Sequence, residues 1–414
     1  MIKLINGILD KMKKICKPQK KFIVEMLLVV LGARGKMNFK NMGRYSKFST
    51  KTYSRNYEKQ FNFAEFNSQA LLHIIKPGSS LVAAFDPSFI PKSGKKTYGK
   101  DYFWNGAASK AEKGLEIGLL AVVDIEKNTA YSISAHQTPP IAASRKDKSS
   151  IITKQSRVDE YLKHIDVARK YLPPEVNHLV GDGFFSKEKF VTGIKNLGLD
   201  FVGKLRIDAN LRHLYQGEQK NIGRPKKYEK KFDTTDITQF KFESDVLIDK
   251  TTTIKLYAAT VNSVSMTREI KIVLLLNKNA DGQTRQALLF STDLNLSALN
   301  IYRFYKARYQ IEFLFRDAKQ FTGLTDCQSR SQSRLNHHFN ASFAALNLIK
   351  IEDRICQKIN APAQAFSMAS WKTRYCNDHL IDKVFSMLGI EQTLIKLNPQ
   401  FEALRNYGTI SNFT

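Results

Sequence analysis

The segment YKARYQIEFLFRDAK, Tyr305–Lys319, carries a tyrosine, an arginine, a glutamate and a lysine beside a hydrophobic stripe. On a helical wheel of about 100° per residue, Tyr305, Arg308, Glu312 and Lys319 fall within a wedge of roughly 60°. Phe304, Ala307, Ile311, Leu314, Phe315 and Ala318 fill the neighbouring sector, and Lys306, Gln310 and Asp317 lie on the far side. The pattern predicts one helix with an apolar packing face, a solvated face that includes Asp317, and a third face on which four polar groups align. A solvated face ordinarily scatters its charges or pairs them at i,i+4; here the steps are three, four and seven. A surface helix whose charges align by accident gives the same wheel, so the alignment needs a counterpart elsewhere in the chain.

Two aspartates supply one. SSLVAAFD reads as a buried strand ending at Asp86 and stopped by Pro87, and NHLVGD as a strand ending at Asp182. Strand ends of open α/β sheets are where sites form. Either aspartate alone reads as readily as an ordinary turn residue. In a chain this basic, however, carboxylates brought together call for a hard cation. Mg²⁺ takes oxygen ligands from a few carboxylates plus phosphate oxygens. Two such ions roughly 4 Å apart activate a nucleophile and stabilise a leaving oxygen in phosphoryl transfer.

The whole chain agrees with an acidic polymer as partner. It has 414 residues, room for two or three domains, with 43% hydrophobic residues and a formal charge of +27. That excess points to nucleic acid. Residues 1–60 hold 15 lysines and arginines against three acids. The four cysteines form no CxxC pair and the eight histidines no HxxxH, which argues against structural zinc. Sparse cysteine suits a reducing cytoplasm. The longest apolar run, MLLVVLGA, is too short to span a bilayer, and no signal peptide stands out.

The elements that must position these residues follow from periodicity and punctuation. Residues 1–75 read as a basic helical region. An apolar helix ends near Gly32 and Gly35, a short helix covers NFKNMGRY, and Ser49 caps a helix that exposes Lys51, Thr52 and Arg55. Short helix, turn, basic helix is the helix-turn-helix order. Residues 76–205 read as strands followed by alternating helix and strand, an α/β core. PKSGKKTYGKDYFWNG within it reads as a basic loop, and a turn is expected at Lys127-Asn128. Residues 206–285 read as a mostly β insertion, 286–355 as the second part of the core with the Glu312 helix, and 356–414 as a helical C-terminal region.

Taken together, these features resemble the DDE transposases of bacterial insertion sequences, in the group with a Y-x2-R-x3-E-x6-K signature. Tyr305, Arg308, Glu312 and Lys319 match that signature at every spacing. FDPSFIPKSGKKTYG resembles the stretch around the family's first aspartate, and GDGFFSKEKF that around the second. The resemblance runs from about residue 45 to 355 and implies an RNase H-like mixed sheet with flanking helices, interrupted by a β insertion between Asp182 and Glu312. It implies that Asp86, Asp182 and Glu312 are catalytic and bind two Mg²⁺ ions, for which Mn²⁺ can substitute. Arg308 and Lys319 would grip phosphates, one as a fork and one as a point charge, and Tyr305 would donate to a phosphate near the scissile bond. The partners implied are double-stranded DNA, both element ends and target, and a second copy in a dimeric synapse. The place of action implied is the bacterial cytoplasm and nucleoid.

One departure and three lesser motifs complete the reading. Some relatives stack a flipped base on a tryptophan of the insertion, but the two tryptophans here, Trp104 and Trp371, lie outside it. A flipped base would need Tyr257, Phe290 or another aromatic. GRPKKY, with Arg224, Lys226 and Lys227, resembles a minor-groove-binding basic segment; a plain solvated linker reads the same. Lys92, with Lys95, Lys96 and Lys100, follows Asp86 closely enough to hold DNA near the metals, or to be a surface loop. Lys51 and Arg55 belong to the candidate recognition helix. A DNA-binding regulator derived from a transposase, and a nuclease without strand transfer, are the rival functions.

Overall fold

The structure is a computed structural model that describes residues 1–140, 156–219, 222–223, 225–248, 253–278, 284–357, 366–390 and 398–410. Five helices open the chain: α1 (Ile2–Lys11), α2 (Lys17–Gly32), α3 (Phe39–Tyr45), α4 (Thr50–Asn56) and α5 (Phe63–Leu71). Asn38, Ser49 and Asn62 each cap the helix that follows by accepting from a backbone N–H three residues on. The expected short helix, turn and basic helix are therefore α3 and α4. The helix α1 had no reading in the sequence.

The core strands are β1 (Leu81–Pro91), β2 (Asp101–Asn105), β3 (Lys110–Asp124), β4 (Thr129–Gln137), β5 (His178–Val180), β6 (Asp200–Leu205) and β12 (Thr284–Ser291). Between β6 and β12 come β7 (Leu211–Leu214), β8 (Tyr228–Lys231), β9 (Lys241–Leu247), β10 (Thr253–Ser263) and β11 (Arg268–Lys278). All twelve form one mixed sheet whose main path is β2-β3-β1-β5-β6-β12-β11-β10-β7-β8. The insertion is thus mostly β, as its composition suggests, and it continues the core sheet through β12 and β11. Helices α6 (Arg157–Arg169) and α7 (Glu188–Asn196) lie between strands in sequence. The helices α8 (Ala298–Ala307), α9 (Gln310–Phe321), α10 (Gln332–Cys356) and α11 (Met368–Leu388), with a last helix over Pro399–Arg405, complete an arrangement consistent with an RNase H-like core and helical ends.

Two strand expectations change. Pro87 does not stop β1, which pairs with β3 from Leu81 to Pro91. Its parallel partner β5 reaches only Ala83 and Ala84, so past that point one edge is open, where a residue without an N–H is tolerated. Within the stretch read as a basic loop, Asp101–Asn105 forms β2 against Lys110–Gly114. Gly114 is needed where this ribbon leaves the sheet: a Cβ there would stand 2.4 Å from the Phe89 ring and 2.7 Å from the Ile90 carbonyl. The expected turn at Lys127-Asn128 joins β3 to β4, with Asn128 at a positive φ.

The 25-residue α10 is buried along most of its length and is fixed to β4 by polar contacts rather than by apolar packing alone. Asn347 accepts from the Ser132 N–H at 2.9 Å and donates to the Ser132 carbonyl at 2.8 Å. One heptad earlier, Asn340 makes the same pair of bonds with Ala135 at 2.9 and 2.8 Å. An amide matched to both groups of one strand residue sets register, because any slip leaves buried polar groups unpaired. The outer side of α10 carries the N-terminal helices. Tyr57 stacks on His337 with centroids 4.3 Å apart, and Arg334 pairs with Glu58 at 2.8 Å. Phe22, Tyr53 and Tyr57 belong to the same hydrophobic cluster as the core sheet.

Removing residues 1–60 should therefore uncover α10 rather than release a tethered module. The truncated chain is expected to be insoluble or to melt at least about 5 °C lower, because several large side chains lose their cover. Lys51→Glu/Arg55→Glu in the full chain should melt like the wild type. A truncated chain with an unchanged melting curve would show the N-terminal helices to be independent of the core.

Candidate active site

The sheet register builds the first half of the site. Leu179 and Val180 of β5 lie beside Ala83 and Ala84 of β1 in parallel. Asp86 lies two residues beyond Ala84 within β1, and Asp182 two residues beyond Val180, just past the end of β5, so the two aspartates approach from neighbouring strands. Asp182 follows the end of β5 and caps a single 3-10 turn, accepting from the Phe184 N–H at 2.9 Å. Asp86 sits within β1 on the face shared with Ala84 and Ser88, by the alternation of a strand.

The second half is the segment carrying the four aligned groups, and it differs from a single helix. Helix α8 ends at Ala307 and α9 begins at Gln310. At the junction the Arg308, Tyr309, Ile311 and Glu312 amides bond to the third residue back, to Tyr305, Lys306, Arg308 and Tyr309 in turn. Arg308 and Tyr309 keep right-handed helical angles, so the chain tightens without turning away and the polar wedge survives. No glycine or proline marks the break, and we have no physical account of it from the sequence. Glu312 now stands in the first turn of α9, where the helix dipole favours a carboxylate.

These groups lie within reach of one another's charge, although the ligand atoms of Asp86, Asp182 and Glu312 are not all within 4.8 Å of one another. The Arg308 Nη1 pairs with Glu312 Oε1 at 3.1 Å, the arginine buried and the glutamate exposed. The Lys319 ammonium donates to the Ser88 hydroxyl at 2.9 Å, two residues along β1 from Asp86. The Arg308 guanidinium lies 4.8 Å from the Tyr309 ring and 5.8 Å from the Tyr305 ring. Its Nε is buried without a hydrogen-bond partner, a donor left for an oxygen from outside the chain.

Electrostatics ties the halves together. Burial, then the neighbouring Asp182, and with less effect Glu312 and Glu116, push the Asp86 carboxyl up to about 7, against the pull of Arg308. Burial raises the Tyr305 phenol, opposed mainly by Arg308. Burial works against the Arg308 charge, but Tyr305, Glu312, Asp86 and Asp182 outweigh it and hold the guanidinium more firmly protonated than usual. Burial lowers Lys319, and Asp86 partly offsets the loss. A buried carboxyl beside a second carboxylate, protonated near neutrality, marks a site short of positive charge. Hard divalent cations fit that donor set, with oxygen ligands only and room for phosphate oxygens.

The remaining expected residues lie apart from these groups. The Lys92 ammonium donates to the Cys327 carbonyl, so its charge is turned toward the loop after α9. Lys51 and Arg55 are exposed on α4. Lys226 and Lys227 are exposed in the loop before β8, where the Lys226 ammonium sits 4.6 Å from the Tyr215 ring; Arg224 lies outside the described residues. Asp317 is a correction. It is 4% exposed, bonded to Arg316 at 2.9 Å, because α10 covers the side of α9 that a wheel leaves open to solvent. Gln310 is buried too, bonded to Asn128 at 3.1 Å. Phe290 is fully buried beside Phe201 and cannot receive a flipped base; Tyr257 is half-buried against Phe242.

Two contributors had no reading in the sequence. Ser88 anchors Lys319. Glu116 is buried on β3, accepts from the Tyr161 hydroxyl at 2.6 Å and adds to the negative field at Asp86. The signal for Ser88 was its period-two placement from Asp86, legible only once β1 is known to run past Pro87; Glu116 stands opposite Phe89 on the other face and had no such signal. A separate cluster, His178, Asp200 and Asp293, is the one group of three ligating side chains with atoms within 4.8 Å of one another among the described residues. It lies where β5 and β6 begin, the opposite end of these strands from Asp182. Asp200 Oδ1 takes Lys195 and Thr292 at 2.6 Å each, and Asp293 takes His178 at 3.0 Å and the Asn295 N–H at 2.9 Å. The cluster reads as a polar clasp on strand ends.

A family model described as a transposase DDE domain matches residues 77–348, more than half of the chain, and spans Asp86, Asp182 and the whole Tyr305–Lys319 segment. No curated protein matches the chain. Members of that family are metal-dependent enzymes of phosphoryl transfer on DNA.

The raised carboxyl gives a prediction with a definite sign. Its folded value, about 7, exceeds the ordinary 3.8, so the folded protein holds this proton more tightly and the stability it contributes is lost as pH rises toward 7. Asp86→Asn should therefore melt about 2–4 °C above the wild type at pH 8 and level with it near pH 4. Adding a divalent cation should raise the wild type and not the variant. Equal melting at pH 8 would show that Asp86 carries no such strain.

Proposed function

We infer that this chain, which belongs to the transposase DDE-domain family, binds the terminal inverted repeats of its own insertion element, cuts there, and joins the freed 3′-OH to target DNA. The observation that supports this most is that Asp182, Glu312, Arg308 and Lys319 all lie within electrostatic reach of the buried Asp86. Asp86, Asp182 and Glu312 would hold two Mg²⁺ ions, or Mn²⁺ in their place. Such ions lower the pKa of an attacking oxygen and stabilise the leaving one, with no covalent enzyme intermediate.

The chain's own groups do the rest. Arg308 has one arm on Glu312 and an unpartnered Nε, so it offers a phosphate a charged donor already oriented and desolvated. Lys319, fixed by Ser88, places a second charge on the other side of Asp86. Tyr305 stands close enough to both Arg308 and Asp182 to feel their charges, and its phenol donates to the phosphate next to the cut. Lys51 and Arg55 on α4, and the loop with Arg224, Lys226 and Lys227, read or hold the DNA further out. Two ends must be joined, so the working form is a dimeric synapse, formed on the nucleoid in the bacterial cytoplasm.

The test is incubation of a labelled inverted-repeat end with a target plasmid and Mg²⁺. A transposase transfers the label to the plasmid, a nuclease only shortens it, and a regulator only shifts it; either of the last two results overturns the reading. Asp182→Asn and Glu312→Gln should each lower cutting and joining by about a hundredfold or more while leaving end binding within about threefold. A variant that still cuts near the wild-type rate would remove its residue from the set. Arg308→Ala should weaken end binding more than Lys319→Ala, since a fork makes two bonds where an ammonium makes one. The reverse order would reassign the two roles.

A further inference from the structure

Where β3 runs beyond its pairing with β1 and β4, residues 110–113 have only β2 as partner. The result is a two-stranded ribbon, Asp101–Asn105 against Lys110–Gly114, projecting from the end of the sheet toward which β1 carries Asp86. Its two faces differ. On one, Phe103 is buried under the Arg157 guanidinium at 4.8 Å, and Asn105 donates to Glu112 at 2.6 Å. Arg157 also donates to the Tyr102 carbonyl at 2.9 Å. Those contacts make rigid a hairpin that would be marginal alone. On the other face, Tyr102 and Trp104 are 59% and 60% exposed, with the Lys113 ammonium 5.8 Å from the Tyr102 ring and only Ala111 opposite Trp104.

Two large aromatics side by side on a braced ribbon need a reason, since covering what each still exposes would remove on the order of 100–150 Å² from water. Charge says what covers them. From Lys92 to Lys113 the chain has six lysines against Asp101 and Glu112. Glu112 is neutralised by Lys110 at 3.2 Å, and Asp101 accepts from the Tyr102 N–H at 2.8 Å. Aromatic faces interleaved with lysine suit a nucleic acid, whose bases and sugars stack and whose phosphates take the charge. A two-stranded ribbon also has the width of a DNA groove. Distance agrees. Leu119 faces Asp86 and Lys113 faces Tyr102, and six strand residues span about 20 Å, or about six base-pair steps.

We propose that this ribbon is a DNA grip, in which Tyr102 and Trp104 lie against the bases and sugars of the duplex about six base pairs from the cut phosphate while Lys113 and Lys100 hold its backbone. The proposal rests on the reading of the chain as a transposase acting on DNA ends.

Trp104 supplies its own reporter, because the chain's other tryptophan, Trp371, is buried in α11. In full-length Trp371→Phe, Trp104 is the sole tryptophan. The probe is a duplex spanning the element's end with about ten base pairs on each side of the cut, titrated without divalent cations so that nothing is cleaved. Trp104 emission should fall and saturate at the DNA concentration at which the anisotropy of labelled DNA saturates. A duplex trimmed to about three pairs on each side should bind without that fall. Tyr102→Ala/Trp104→Ala should weaken binding of the long duplex about tenfold or more, and Trp104→Phe, which keeps a stacking face, should not. Normal anisotropy with unchanged Trp104 emission would overturn the grip and leave the transposase reading standing. Emission that changes with protein concentration alone would assign the ribbon to a second copy and also overturn it. No anisotropy change with any DNA would defeat both readings.

Discussion

Like charges set the terms for everything around Asp86. Burial first, then the repulsion of Asp182 and more weakly of Glu312 and Glu116, leaves the Asp86 carboxyl preferring a proton near neutrality. Two cations of the chain keep that repulsion from opening the site. Arg308 is buried against Glu312, and Lys319 is pinned to Ser88 beside Asp86. Both pay in desolvation, which works against the charge of each, and both are held by short-range bonds that fix where the charge sits. The chain's own bonds therefore set where both cations stand, unlike small metal domains in which the ion supplies the folding energy.

Position follows from register. The parallel step between β1 and β5 brings Asp182, just past the end of β5, beside Asp86 of β1, and the antiparallel ladder from Leu81 to Pro91 keeps β1 rigid through Asp86 and Ser88. A slip of one residue in β1 would turn Asp86 to the face of Phe85 and Phe89, beneath α6. Gly118, opposite Pro87, helps prevent that, since a Cβ there would stand 2.8 Å from the Phe85 ring. On the other side, α9 is held by α10, and α10 is held to β4 by Asn340 and Asn347. Glu312 thus depends on two amides far from it in sequence.

What could be read from the sequence was local and periodic. The polar wedge of Tyr305, Arg308, Glu312 and Lys319 needs only helical backbone angles, and these persist through the break at Arg308 and Tyr309. Asp182 needed only a strand with a turn after it. The failures share a cause: each residue's surroundings are set by an element distant in sequence. Pro87 is tolerated because β5 stops short, Asp317 is buried because α10 lies over it, and Phe290 is buried because β6 carries Phe201 beside it. The ribbon strand β2 was read as loop because lysine and glycine dominate the stretch, whereas its pairing is imposed by β3 and by Arg157 from α6.

The N-terminal helices extend the same logic to recognition. Had they hung on a linker, the distance between the basic helix α4 and Asp86 would vary from molecule to molecule. Instead Tyr57 stacks on His337, Glu58 takes Arg334, and α10 carries both on the helix that Asn340 and Asn347 lock to β4. The chain from Lys51 and Arg55 through α10 and β4 to β3, and so to β1 and Asp86, is continuous in packed elements. Close-packed interiors transmit position with little slack. The offset between α4 and Asp86 is therefore fixed by the fold, so on the proposed function the place of a cut would follow from geometry.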